Sequence, residues 1–171
     1  RNLKIVDAAD SKESVWVTAG ADNSLVSDCI SLNYAAHGII IDNSDSCIVR
    51  RNILACKTTA GTSSSIKITG GALTVLVHHN DIQLVGGDKP SIHFAIQFDG
   101  GTGHKCLNNT VSNITDDINI CVGIGVKSSG VIAECYNNLV FEVQKHPLMI
   151  ESGSSITVSD YNSWQQDDGT L

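Results

Sequence analysis

Short segments in which apolar residues alternate with other residues recur along the whole chain. The first is Val15-Trp16-Val17, and an equivalent segment follows every 24 to 30 residues, at 39–41, 66–68, 96–98, 124–126 and 148–150. Because strand side chains alternate between two faces, the first and third residues of each segment point one way and the middle residue points the other way. The pattern predicts one β-strand repeated along a solenoid.

A second series consists of an Asn that is followed two residues later by an apolar residue. Its members are Asn52, Asn80, Asn109 and Asn138. Asn2 and Asn162 extend the series, and Cys29 fills the slot before Asn52, so that the steps run from 23 to 29 residues. The two series keep pace along the chain, which indicates that each repeat is one coil of a solenoid.

A leucine-rich repeat has a similar core spacing, but it needs a Leu three residues before its first apolar position. That slot holds Ser44, Ala72, Gly101 and Gly130. The segments are also rich in β-branched residues and bounded by Gly or Ser, which favours a β-helix.

On these repeats the whole chain resembles the pectin-lyase-like superfamily of right-handed parallel β-helices. The resemblance implies an all-β domain over 1–171 with about six coils, as a segment of a longer solenoid. Each coil would contain three short strands, for example 39–42, 47–50 and 53–56, with the inward Asn in a tight corner between the second and the third.

The corner Asn residues are predicted to form a ladder, in which each stacked amide bonds to the corners of the neighbouring coils. We expect the Asn to tolerate a left-handed backbone at this corner, and Cys29 to leave the amide ladder incomplete. Cys106 and Cys135 have the same register in adjacent coils. They are expected to be stacked, reduced thiols, and a disulfide is the alternative.

The charge, the apolar runs and the cysteine spacing exclude several classes of partner and site. The net charge of −7 argues against nucleic acid and anionic membranes as partners, and no apolar run approaches the roughly 20 residues of a membrane span. The six cysteines contain no CxxC pair, so they are expected to be buried and free. No metal or cofactor is predicted, and no motif supports a Ca²⁺ site.

The first-strand surface holds one set of candidate residues. Outward positions include Trp16, Lys67 and Gln97, and the strand ends carry Asp42, Asp99, Lys127 and Glu151. The resemblance implies that this surface is a saccharide groove, with the carboxylates in acid–base or uronate-binding roles. The alternative is a solvated ladder of charges. Loops predicted at 57–65, 86–95 and 113–122 would flank the groove.

A second set lies near the Asn corner, where Arg50 and Arg51 are predicted to stand beside His78 and His79 of the next coil. Arg can bind a carboxylate with two parallel hydrogen bonds, so these residues could bind an anionic sugar. Ordinary solvent-facing polar residues are the alternative.

The resemblance implies an extracellular, virion-surface or cell-surface module that binds or processes polysaccharide, as phage tailspikes and related enzymes do. If it is an enzyme, it would be a lyase, an epimerase or a glycoside hydrolase. His37-Gly38 stands alone and no Arg-x-Lys occurs, so the hydrolase signatures of that superfamily do not accompany an Asp pair. A structural spacer or adhesin stalk is the alternative. A homotrimer or flanking domains would cover the solenoid ends.

Overall fold

The computed structural model describes residues 4–6, 14–34, 36–56, 61–84, 92–112 and 120–166. These residues contain nineteen β-strands and no helix. All strand pairs are parallel, and they form three sheets of seven, six and six strands.

The three sheets are named here by their strands. Sheet A contains β1 (Lys4–Val6), β4 (Ile30–Tyr34), β7 (Ile53–Cys56), β10 (Asp81–Leu84), β13 (Thr110–Ser112), β16 (Leu139–Val143) and β19 (Ser163–Gln166). Sheet B contains β2 (Val15–Val17), β5 (His37–Asp42), β8 (Thr62–Thr69), β11 (Ile92–Asp99), β14 (Ile120–Lys127) and β17 (His146–Ile150). Sheet C contains β3 (Leu25–Ser27), β6 (Ile48–Arg50), β9 (Leu76–His78), β12 (His104–Leu107), β15 (Val131–Tyr136) and β18 (Ser155–Asp160).

Successive strands visit sheets B, C and A in turn, so that each coil adds one strand to every sheet. The predicted all-β, parallel β-helix of about six coils with three strands each is confirmed.

The interior is lined by stacked apolar residues, and they are the first and third residues of the alternating segments found in the sequence. Ile39, Ile66, Ile96 and Ile124 are consecutive register partners, and each is fully buried. Full burial of one such side chain contributes roughly 1.5–3 kcal/mol. β-Branched residues also suit extended strands, so the same residues favour both the local backbone and the core.

The Asn ladder is present, and Asn109 shows its bonding. Its Oδ1 accepts the backbone N–H of Asn80 at 3.1 Å and the Asn80 Nδ2 at 3.0 Å. Its Nδ2 donates to the Val77 carbonyl at 3.1 Å and to Asn138 Oδ1 at 3.0 Å. Asn52, Asn80 and Asn138 repeat this arrangement, so the predicted ladder is confirmed.

Among the described residues the ladder runs from Cys29 to Asn162, and Asn2, the first member of the predicted series, lies outside them. Cys29 donates only its backbone N–H to Asn52 Oδ1, at 3.0 Å, because its thiol bonds to the Ser27 carbonyl. At the other end, Asn162 Oδ1 accepts both the backbone N–H and the Nδ2 of Asn138 at 2.9 Å, so Asn162 belongs to the ladder.

All six cysteines are buried thiols, and none forms a disulfide, as predicted. Cys106 and Cys135 are register partners on β12 and β15. Burial raises the pKa of the Cys106 thiol, so it stays protonated.

The prediction that the ladder Asn has the left-handed backbone is wrong. That conformation belongs to the residue before it in every coil, with φ between 52° and 59°, at Asp28, Arg51, His79, Asn108, Asn137 and Tyr161. The left-handed residue turns the chain at the corner, and the Asn that follows is thereby directed inward. We call these six residues the corner column.

The strands of sheet B are longer than predicted and bend. Residues 62–65, 92–95 and 120–122 were expected to be loops, but they form the first halves of β8, β11 and β14. Consecutive residues Ala95 and Ile96 both belong to the core, so alternation is broken there. Residues 57–60, 86–91 and 113–119 of the predicted loops lie outside the described residues.

Removal of one ladder amide should destabilise the whole solenoid. Asn109→Ala would leave two donors of Asn80 without their acceptor and the Val77 carbonyl without its donor. Each unpaired buried group costs about 1–3 kcal/mol, so for the three groups we expect a loss of about 3–9 kcal/mol. Urea unfolding followed by circular dichroism measures it.

Asn108→Gly is the matched control, because Asn108 precedes the ladder residue and has φ of 54°, which Gly adopts readily. We expect this variant to stay within about 1 kcal/mol of the parent. Equal losses in the two variants would contradict a specific role for the buried amides.

Candidate functional site

The outward column of sheet B, here called the sheet B face, is in register as predicted. Its residues from the first coil onward are Trp16, Ile40, Lys67, Gln97, Gly125 and Met149. Their exposure differs greatly: the Trp16 residue is 56% exposed, whereas Ile40 and Gln97 are 6% and 2% exposed. The open part of this face is therefore smaller than the sequence indicates.

The Phe94 ring covers the middle of the sheet B face. The sequence did not indicate Phe94 as a site residue. It lies before the bend of β11, and a Cβ on Gly125 would be 2.5 Å from its Cδ1 atom. Ser64, at the equivalent position of β8, donates a hydrogen bond from Oγ to Gln97 Oε1 at 2.6 Å. Phe94 and Gln97, although they point outward, are therefore both buried on the outer side of sheet B, one on each side of the break in alternation.

Charged side chains surround these two residues. Lys67 Nζ lies 3.7 Å from Asp99 Oδ2, and both side chains are about a quarter exposed. Lys127 is the register partner of Asp99, but its Nζ lies 5.5 Å from the centroid of the Phe94 ring. Such a cation–π contact stabilises by about 0.5–1 kcal/mol at exposed positions.

Two of the candidate carboxylates accept hydrogen bonds from the corner of a neighbouring coil. Asp99 Oδ1 accepts the Ser128 hydroxyl at 2.6 Å, and Glu151 Oε2 accepts the Ser128 backbone N–H at 3.0 Å. Ser128 has a left-handed backbone, so these two bonds stabilise its turn. Asp42 lies so close to Gly70 that a Cβ there would overlap its carboxylate.

Arg50 and Arg51, the first pair of the second candidate set, differ in their partners. Arg51 binds Asp28 of the preceding coil through Nε at 2.7 Å and Nη2 at 2.8 Å. This hydrogen bonding, with a contribution from Ser27, holds the pKa of Asp28 well below its usual range. Arg50 is the register partner of His78, and its buried Nε has no hydrogen-bond partner among the described residues.

His78 and His79 contact each other directly. Their Nδ1 atoms are 2.8 Å apart, and their rings meet edge to face with centroids 5.0 Å apart. Burial, with the nearby charges of His79, Arg50 and Arg51, lowers the pKa of His78. The sequence placed these four residues together correctly, and we call them the Arg–His corner.

Two further histidines are internal. His93 is fully buried, with Nδ1 at 2.8 Å from Ser63 Oγ and Nε2 at 3.4 Å from Ser65 Oγ. Ser65 also accepts the Tyr34 hydroxyl at 2.5 Å. His104 accepts the Val75 N–H at Nδ1 and donates from Nε2 to the Gly100 carbonyl, so it is neutral and structural.

The described residues contain no group of three His, Cys, Asp or Glu side chains arranged to hold a metal ion. They also contain no helix that is long and apolar enough to cross a membrane. No protein-family model, no curated protein and no solved structure matches the chain. The topology alone therefore defines its class, which is the parallel β-solenoids.

Acid should destabilise the fold through His93. Burial and the charge of His37 lower the pKa of His93 to about 3 from an ordinary value of 6.5. The unfolded chain binds the proton more readily, so the stability is complete above about pH 6.5 and falls as the pH decreases towards about 3. At about pH 5 the loss from His93 is about 2 kcal/mol, measurable by urea unfolding.

His93→Gln should flatten this dependence between about pH 7.5 and about pH 5, a window in which few carboxylates titrate. His146→Gln is the control, because His146 is exposed at the start of β17. An equal pH dependence in the parent and in His93→Gln would assign the acid sensitivity to other groups.

Proposed function

We propose that this chain is a polysaccharide-binding β-helix of the pectin-lyase-like type, and that saccharide lies along the sheet B face. The observation that carries the proposal is a cluster on this face, in which Lys67, Asp99 and Lys127 surround the buried side chains of Phe94 and Gln97. Apolar and aromatic groups combined with a few convergent polar groups are typical of a ligand site.

Trp16 gives this face an apolar platform. It stands in the same outward column as Lys67 and Gln97, two and three coils earlier, and its ring is largely exposed. A sugar ring has an apolar C–H surface that can lie against an aromatic ring, while its hydroxyls need donors and acceptors. Trp16 supplies the aromatic surface, and Lys67, Asp99 and Lys127 supply the donors and acceptors.

The proposed location is outside the cell, or on a virion or cell surface, where polysaccharide is accessible. Free thiols are compatible with this location because every cysteine is buried. Proposed partners are polysaccharide, further copies in a homotrimer, and flanking domains at the solenoid ends. An enzymatic version would be a lyase, an epimerase or a hydrolase acting on acidic polysaccharide.

A structural spacer is the second candidate, and one observation favours it. Charged side chains on the surface pair with one another: Arg51 with Asp28, and Lys105 with Glu134 at 2.6 Å. Asp99 and Glu151 are also engaged at Ser128. A surface that satisfies its own charges in this way needs no ligand.

A glycan array followed by calorimetry on alginate, pectin and capsular polysaccharides distinguishes the two candidates. We expect binding to at least one polymer, and we expect Trp16→Ala to weaken it roughly three- to tenfold, the size of a lost aromatic contact. Lys67→Gln should also weaken it. Product analysis on the bound polymer tests for catalysis.

Tyr161→Asn is the control, because Tyr161 is an exposed aromatic residue of the corner column, where Asn already occurs in two other coils. Binding by this variant should equal that of the parent. Absence of binding across the whole panel, with the chain folded, would favour the spacer.

A further inference from the structure

The corner column brings two neighbouring histidines to the same side of the chain. Successive side chains of a strand point to opposite faces. His78 ends β9 and points outward, and His79 follows it with φ of 55°, which ends the alternation. The left-handed residue thereby places its ring against that of His78, with the two Nδ1 atoms 2.8 Å apart.

This contact limits how many protons the pair can hold. A hydrogen bond between two Nδ1 atoms needs a proton on one nitrogen and a lone pair on the other. The accepting ring is therefore neutral, with its proton on Nε2. The donating ring can still take up a proton on its own Nε2. The pair can thus gain one positive charge without breaking the contact, and it then offers two Nε2–H donors instead of one.

Two positive charges act on His78 from the preceding coil, those of Arg50 and Arg51. Arg50 is the register partner of His78, and its Nε has no partner among the described residues. Arg51 is held by Asp28. The next coil presents the uncharged Leu107 and Asn108 at the equivalent positions.

Two other charged residues lie on the strands that pack against β9 or follow it. Lys105 on β12 is bound to Glu134, and Asp81 begins β10. The first protonation of the histidine pair therefore meets repulsion from Arg50 and Arg51, in keeping with the lowered pKa of His78. An anion placed among these groups would remove that repulsion.

We propose that Arg50, His78 and His79 form a binding site for an oxyanion, the carboxylate or sulfate group of an acidic saccharide, and that binding of the anion favours protonation of the histidine pair. The site extends the proposed saccharide function to acidic sugars, but it lies on another face. The site is tested with isolated anions, whereas the sheet B face is tested with polysaccharides. A negative result for one proposal can therefore be told apart from a negative result for the other.

The test is titration of the chain with inorganic sulfate and with glucuronate, followed by calorimetry and by the NMR signals of the histidine rings. At constant ionic strength we expect binding to be roughly tenfold tighter at about pH 5.5 than at about pH 8, the effect of one added charged hydrogen bond. Calorimetry in two buffers of different ionisation enthalpy should show a net uptake of protons that reaches about half a proton per anion midway through the pH dependence, the maximum for a tenfold change in affinity. Tighter binding of sulfate would assign a sulfated sugar, and tighter binding of glucuronate would assign a uronate.

Four variants make the test specific. Arg50→Gln should weaken binding roughly tenfold. The double variant His78→Leu with His79→Asn reproduces Leu107-Asn108 of the next coil, and it should bind with no pH dependence. Asp28→Asn releases Arg51 and should tighten binding, since the competing carboxylate is gone. Lys145→Gln removes an exposed positive charge elsewhere and is the control.

Thermal melting of each variant confirms that it is folded. The proposal is overturned if the anions bind no more tightly at the lower pH. It is also overturned if Arg50→Gln has no larger effect than Lys145→Gln.

Discussion

Each ladder Asn must reach the corners of both neighbouring coils, and this requirement fixes the position of every coil relative to the next. The Oδ1 atom of Asn109 accepts two hydrogen bonds from the corner of one neighbour, and its Nδ2 donates to both neighbours. A slip of one residue would turn the amide outward and leave these groups unpaired. The corners therefore stay in register although the ladder steps vary from 23 to 29 residues. Much of this variation falls between a sheet A strand and the following sheet B strand, a separation that is short from β4 to β5 and longer from β10 to β11.

The strands, their register and the ladder could be predicted because they follow from patterns that the chain repeats. Ile39, Ile66, Ile96 and Ile124 recur at matching positions, and a stacked core needs like residues at matching positions. The four residues of the Arg–His corner were brought together correctly for the same reason, since register on the ladder determines which outward residues are neighbours.

The bend of sheet B could not be predicted, because it depends on contacts between coils rather than on local pattern. The run 62–65 contains only Thr and Ser and is typical of a loop. In the structure three of its serines are buried, because Ser63 and Ser65 bond to His93 and Ser64 bonds to Gln97. Phe94 was missed for a related reason: only the bend brings its ring over Gly125. The left-handed residue was misassigned by one position because both neighbours at the corner are often Asn.

The six residues of the corner column share one backbone conformation but carry different side chains. Asp, Arg, His, Asn and Tyr all adopt the same left-handed conformation there, and the backbone N–H of five of the six residues donates to a carbonyl of the next coil. One outward side chain is thus delivered per coil, about 4.8 Å from the next, and its identity is not dictated by folding. Such a row can diversify through substitutions while the scaffold stays unchanged, so it offers evolution and protein engineering alike a linear array of variable positions, in which neighbours such as Asp28 and Arg51 can also be chosen as pairs.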